Sequence, residues 1–145
     1  MVKVLIKKLD PSVELPTYKT AGASGIDLMA FIKQPLKLAP KTSCLVPTGL
    51  SVAFSEEYEI QNRPRSGLAA KNNISVLNTP GTIDSDYRGE IKIILFNHSN
   101  SEFIINNKDR VAQMILTPVQ KMELEEVENL PDTLRGKGGF GSTGK

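Results

Sequence analysis

The stretch Arg135-Gly136-Lys137-Gly138-Gly139-Phe140-Gly141-Ser142-Thr143-Gly144-Lys145 holds five glycines, three cations, two hydroxyls and one aromatic ring in eleven residues. Glycine at this density loses much backbone entropy on ordering and brings no side chains to pack, so the segment builds no core of its own. Its chemistry suits a phosphorylated ligand. Glycine amides approach an anion closely, Arg135 offers a bidentate fork, Ser142 and Thr143 donate hydroxyls, and Phe140 can stack on a base. A flexible, solubilising tail has the same composition, so the choice rests on the rest of the chain.

Asn78-Thr79-Pro80-Gly81-Thr82-Ile83-Asp84-Ser85-Asp86-Tyr87-Arg88-Gly89 gathers an amide, two carboxylates, a phenol and a guanidinium between two strand-like runs. It reads as a hairpin. If Ile83 points inward, period-two alternation puts Asp84 on the opposite face. Asx-turn carboxylates beside a surface Tyr-Arg pair are the plainer reading of the same residues. Arg63-Pro64-Arg65-Ser66-Gly67 adds two cations and a hydroxyl where a short helix starts and free backbone amides attract anions. Ser66 suits either a helix N-cap or an anion ligand. Asn107-Lys108-Asp109-Arg110-Val111-Ala112-Gln113 leads into the last long strand, and the Gln113 amide can meet a phosphate oxygen. The lone His98 lies in a Ser-Asn-Ser turn, and nothing in the sequence supplies a Ser-His or Cys-His nucleophile pair. Cys44, in an apolar run, reads as a buried structural thiol.

The elements that must position these groups are short. Val2 to Leu9, Ile26 to Phe31, Ser43 to Val46, Leu50 to Phe54, Tyr58 to Arg63, Ile74 to Leu77, Ile91 to Asn97, Phe103 to Ile105 and Val111 to Val119 read as strands, with Pro and Gly mostly between them. Ser66 to Lys71 is the one helix-permissive stretch. The pattern predicts an all-β sandwich or barrel, with a single domain over residues 1–130 and a mobile glycine-rich tail over 131–145.

At 145 residues one domain buries roughly two-thirds of its unfolded surface and needs no disulfide. Eighteen basic against sixteen acidic side chains leave a net charge of +2, too balanced for a surface that grips a nucleic-acid duplex. A small anionic ligand fits better. No apolar run approaches a bilayer span, and Lys7 and Lys8 interrupt the N-terminal run, so the expectation is a soluble cytoplasmic protein with no membrane partner.

Together these segments resemble the dUTPase family of homotrimeric all-β nucleotidohydrolases, with five motifs in order: Ala23 to Leu28, Arg63 to Leu68, Gly81 to Gly89, Asp109 to Gln113, and the tail. The resemblance implies a distorted β-barrel or jelly roll with one short helix and a flexible C-terminal tail. It also implies hydrolysis of dUTP to dUMP and pyrophosphate with Mg²⁺ on the triphosphate, in a homotrimer. By the same resemblance Asp84 orients and deprotonates the attacking water, and Tyr87 packs under the deoxyribose. Asn78 with Gly81, Thr82 and Ile83 reads uracil, while Arg65, Ser66, Gly67 and Gln113 hold phosphate oxygens. Asp27 acts on the metal indirectly, through water. Phe140 covers the base, Arg135, Ser142 and Thr143 take the γ-phosphate, and Gly141 is a further substrate-binding residue. One departure is Lys108, where the family usually has glycine before the acidic residue.

Overall fold

The computed structural model describes residues 1–141. Eleven strands and one helix follow in the order β1 (Leu5–Lys8), β2 (Ile26–Met29), β3 (Leu36–Leu38), β4 (Ser43–Pro47), β5 (Leu50–Ala53), β6 (Tyr58–Arg63), α1 (Ser66–Asn72), β7 (Ile74–Val76), β8 (Gly81–Ile83), β9 (Lys92–Asn97), β10 (Phe103–Ile105) and β11 (Arg110–Pro118). All pairings are antiparallel. A four-stranded sheet runs β2-β11-β6-β8, a three-stranded sheet β4-β9-β7, and two ribbons join β1 to β5 and β10 to β3. The sheets do not close into one barrel. All nine expected strands are present within a few residues of their expected limits, while β3 and β8 are additional.

Alternation explains why these segments pair. Along β9 Ile93, Leu95 and Asn97 are buried while Lys92 is exposed, and β7 buries Ile74 and Val76 on either side of Ser75. These residues join Leu28, Val46, Ile91, Ile105 and Val111 in one continuous core. Asn97 belongs in that core because its amide is saturated. Its Nδ2 donates to the carbonyls of Leu38 (3.0 Å) and Ser101 (2.8 Å), and its Oδ1 accepts from the amide and hydroxyl of Ser99.

The helix starts at Ser66 as expected, but Ser66 is not its N-cap. Arg65 is the extended N-cap and Ser66 the first helical residue, with no side-chain cap, so the Ser66 hydroxyl is not consumed by the helix. Asn73, left-handed at φ 55°, ends the helix. Lys108 takes φ 68°, the conformation a glycine would adopt freely. Its amide bonds the Ala30 carbonyl and its ammonium pairs with Glu14. The hydrogen bond from Lys108 holds the Glu14 carboxyl below its ordinary range. The turn is therefore kept despite the missing glycine.

Cys44 is half-buried rather than buried, and burial pushes its thiol up. Among the described residues no helix is long and apolar enough to cross a membrane.

Candidate active site

The sequence-predicted residues fall into two clusters. The first surrounds β8. This strand is an edge of its sheet, paired only with β6 through Ile60↔Ile83, Gln61↔Thr82 and Asn62↔Gly81. Its other backbone edge is available to a ligand, as at any unpaired sheet edge. Gly81 and Ile83 are buried, Thr82 and Asp84 exposed, as alternation requires. Beyond Ile83 the chain turns: the Tyr87 amide bonds the Asp84 carbonyl (3.1 Å), and Arg88 Nη1 holds the carbonyls of Ser85 (2.6 Å) and Tyr87 (3.0 Å). The Tyr87 phenol donates to the Glu90 carbonyl at 3.0 Å, and it does so across Gly89, where a Cβ would lie 2.3 Å from Tyr87 Oη.

These groups frame a cavity of about 350 Å³, within the range of small-molecule sites. Asn78, Gly81, Thr82, Ile83, Asp84 and Tyr87 all line it, and Val76, Ile91 and Ile93 give it an apolar wall. Such a slot suits a planar base with an adjoining sugar. Asp86 does not line it. Glu90 and Asn62 do, and neither was singled out from sequence. Glu90 also accepts the Gly49 amide (2.8 Å), which ties the turn to the core.

The second cluster spans β2, β11 and the start of α1. Gln113 of β11 stands opposite Asp27 on one side and Arg63 on the other. The Asp27 carboxylate is held from both oxygens, by Arg65 Nε at 2.9 Å and Arg110 Nη1 at 3.1 Å, and Arg65 Nη1 also donates to the Arg110 carbonyl. Gln113 Nε2 donates to the Pro64 carbonyl at 3.0 Å, and the close pass of Gly25 explains that residue: a Cβ there would meet Gln113 Oε1 at 2.5 Å. Two guanidinium groups share the Asp27 carboxylate, and Ser66 follows Arg65 in the chain, a set of donors that suits phosphate oxygens. Arg110 was not among the expected site residues. Its place beside Asp109 in the fourth motif was the available signal.

The two clusters do not meet within one chain. Arg65 and Arg110 line a separate pocket of about 290 Å³, and Arg65, Ser66, Gly67 and Gln113 are absent from the lining of the β8 cavity. The tail stands apart as well. After Val119, whose amide bonds the Glu57 carbonyl, no regular element forms among the described residues. Met122, Leu124, Val127, Leu130 and Leu134 are exposed there. Arg135 Nε bonds the Gly138 carbonyl, and Phe140 and Gly141 are exposed. Ser142 and Thr143 lie outside the described residues.

Among the described residues no three His, Cys, Asp or Glu side chains stand close enough to hold a metal directly. A donor set with one guanidinium-bound carboxylate fits a Mg²⁺ held mainly by substrate phosphates and water rather than by a protein cage. The structure also brings Ser75 Oγ within 2.7 Å of His98 Nε2, a pair the sequence did not suggest. No described carboxylate bonds that imidazole, so the contact reads as a tie between β7 and the end of β9.

Comparison with known proteins concerns the chain as a whole. The dUTPase family model matches residues 11–144. The chain is 51% identical over 146 residues to the deoxyuridine 5'-triphosphate nucleotidohydrolase of Fusobacterium nucleatum, covering 100% of both chains. It is 54% identical over 138 residues to the enzyme of that name from Chlamydia pneumoniae, covering 94% of this chain and 95% of that one. In fold it is similar to the dUTPase of Staphylococcus bacteriophage 80alpha solved with dUpNHpp, with a TM-score of 0.87 at 22% identity over 99% of both chains.

Proposed function

The chain belongs to the dUTPase family, and on that premise we propose the part each cluster plays in hydrolysing dUTP to dUMP and pyrophosphate. The observation that carries this reading is the β8 cavity, where Asn78, the free strand edge, Asp84 and Tyr87 converge on one slot. Uracil enters against the backbone of Gly81 to Ile83 with Asn78 at its edge, and Tyr87 packs under the deoxyribose. Asp84 takes a proton from the water that attacks the α-phosphorus, and the pyrophosphate leaves on the opposite side. Arg65, Ser66, Gly67 and Gln113 hold phosphate oxygens in line for that displacement. Arg110 braces Asp27 and Arg65.

Mg²⁺ bound to the triphosphate supplies charge neutralisation, and Asp27 is the residue that would hold it, through water. The segment 131–145 closes over the filled site, with Phe140 and Gly141 on the base and Arg135, Ser142 and Thr143 on the γ-phosphate, excluding competing water.

A triphosphate reaching from the β8 cavity must meet the Arg65 cluster, yet these lie in separate pockets of one chain. A homotrimer resolves this by completing each site with groups from neighbouring copies. The exposed apolar residues from Met122 to Leu134 support that assembly, because such a row is costly to leave in water.

The test is pyrophosphate release from dUTP, dTTP, dCTP and UTP with Mg²⁺, alongside light scattering of the same sample. Fast, selective turnover of dUTP by a trimer is expected. A fully active monomer would overturn the shared-site arrangement, and equal turnover of all four nucleotides would overturn the role given to the β8 cavity.

A further inference from the structure

Among the polar residues lining the β8 cavity, one is buried with an oxygen that has no partner. That residue is Asn62 of β6, opposite Gly81 in the sheet register and only 5% exposed. Its Oδ1 is buried with no hydrogen-bond partner. Asn97, the other buried asparagine, has all its partners within the protein. An orphaned buried acceptor is costly and calls for a reason. Packing is not that reason: Ile60 shares the buried face of β6, with Ile83 beside it on β8, so an aliphatic side chain would suit position 62.

The surroundings point to the ligand. Gly81 presents no side chain to the cavity, and a Cβ built there would lie 3.5 Å from Asn62 Cβ and 3.1 Å from Asn78 Nδ2. Two carboxamides thus flank one bare stretch of strand. The orphaned atom is an acceptor, so its missing partner is a donor. Uracil carries an N–H at N3, between its two carbonyls, where cytosine carries a lone pair.

We propose that Asn62 is a second base-reading residue, whose buried carboxamide oxygen accepts a hydrogen bond from uracil N3–H, directly or across one ordered water. This rests on the dUTP-hydrolysing reading of the same cavity. Asn62 specifies the base and takes no part in the bond-breaking step.

The test uses the full chain and dUMP as the calorimetric probe, since dUMP isolates base and sugar recognition from the triphosphate contacts. Asn62→Val and Asn62→Leu should bind dUMP about 5- to 50-fold more weakly, as expected when a buried donor loses its acceptor. KM for dUTP should rise with kcat nearly unchanged, and the preference for dUTP over dCTP should narrow. Thermal melting should stay level or rise, because the orphaned group is gone. Folded variants that bind dUMP as tightly as the unaltered protein would overturn the inference.

If neither variant folds, the unaltered protein decides the matter by NMR. The Asn62 side-chain amide signals should shift on adding dUMP and stay put on adding dCMP; signals unmoved by dUMP would overturn the inference. Failure of the unaltered protein to hydrolyse dUTP would sink the proposed function and this inference with it. Hydrolysis with unchanged variants would sink this inference alone.

Discussion

Replacing Gly89 by alanine tests whether the Tyr87 ring selects the sugar. Gly89 is not at a positive φ, so alanine meets no backbone penalty there. The conflict is with one side chain: the new Cβ would lie 2.3 Å from Tyr87 Oη, 2.5 Å from Cζ and 2.9 Å from Cε2. Ordinary contact begins near 3.4 Å, so the ring must retreat by about 1 Å. Tyr87 is 46% exposed and free to swing outward, which breaks its bond to the Glu90 carbonyl. That loss costs about 0.5 kcal/mol, the low end for a hydrogen bond, because the phenol regains water.

The effect on turnover should be larger, since a 1 Å misplacement of a positioning group can cost about 100-fold in rate. With Tyr87 under the deoxyribose, a ribose hydroxyl is excluded by about 1 to 3 kcal/mol. Retreat of the ring should therefore lower kcat/KM for dUTP much more than for UTP. Steady-state pyrophosphate release with both nucleotides, beside a thermal melt, measures this. Equal loss for dUTP and UTP would mean that the turn is disrupted and Tyr87 is not the discriminator, and Tyr87→Ala should then leave the ratio unchanged as well.

Asp84→Asn should keep assembly and binding of a non-hydrolysable dUTP analogue while single-turnover chemistry slows by about 10² to 10⁴, the usual worth of a general base. Asp86→Asn should cost far less, and the reverse order would refute the assignment. Lys108→Gly should raise stability in urea by about 0.5 to 1 kcal/mol, because a side chain in the left-handed region is strained; no gain would mean that the Glu14 contact and the greater freedom of unfolded glycine offset the relief. Removing residues 136–145 should leave melting unchanged but suppress turnover, and Phe140→Ala should lower kcat/KM by about 5- to 150-fold if the ring stacks on the base. Unaltered kinetics in both proteins would return the tail to a solubilising role.

The strands were legible as apolar or alternating runs between turn residues, such as the apolar stretch 93–96 and the alternating stretch 58–61. Leu36–Leu38 and Gly81–Ile83 were not, since three residues between Pro and Gly signals carry too little periodicity. Their strand character comes from distant partners, Phe103 to Ile105 for one and Ile60 to Asn62 for the other. The hairpin residues were legible because their chemistry is dense and local. Asn62 was passed over for the opposite reason: its polar side chain reads as solvent-facing, although period-two alternation from Ile60 puts it on the buried face. The bond between Ser75 and His98 was likewise invisible, since it joins residues 23 apart in sequence.

The structure also bears on which carboxylate can act as a base. A carboxylate whose oxygens are both occupied by guanidinium groups already serves to position those groups. Asp27 is in that position, held by Arg65 and Arg110. Asp109 is partly committed too, accepting the Asn106 amide at 2.7 Å. Among the described residues Asp84 takes part in none of the ion pairs, and it is the one aspartate that lines the β8 cavity. Its side chain is exposed on that slot, the place from which the proposed attack by water would come. The burial alternation that points Ile83 into the core therefore also delivers Asp84 to the rim, with its lone pairs uncommitted.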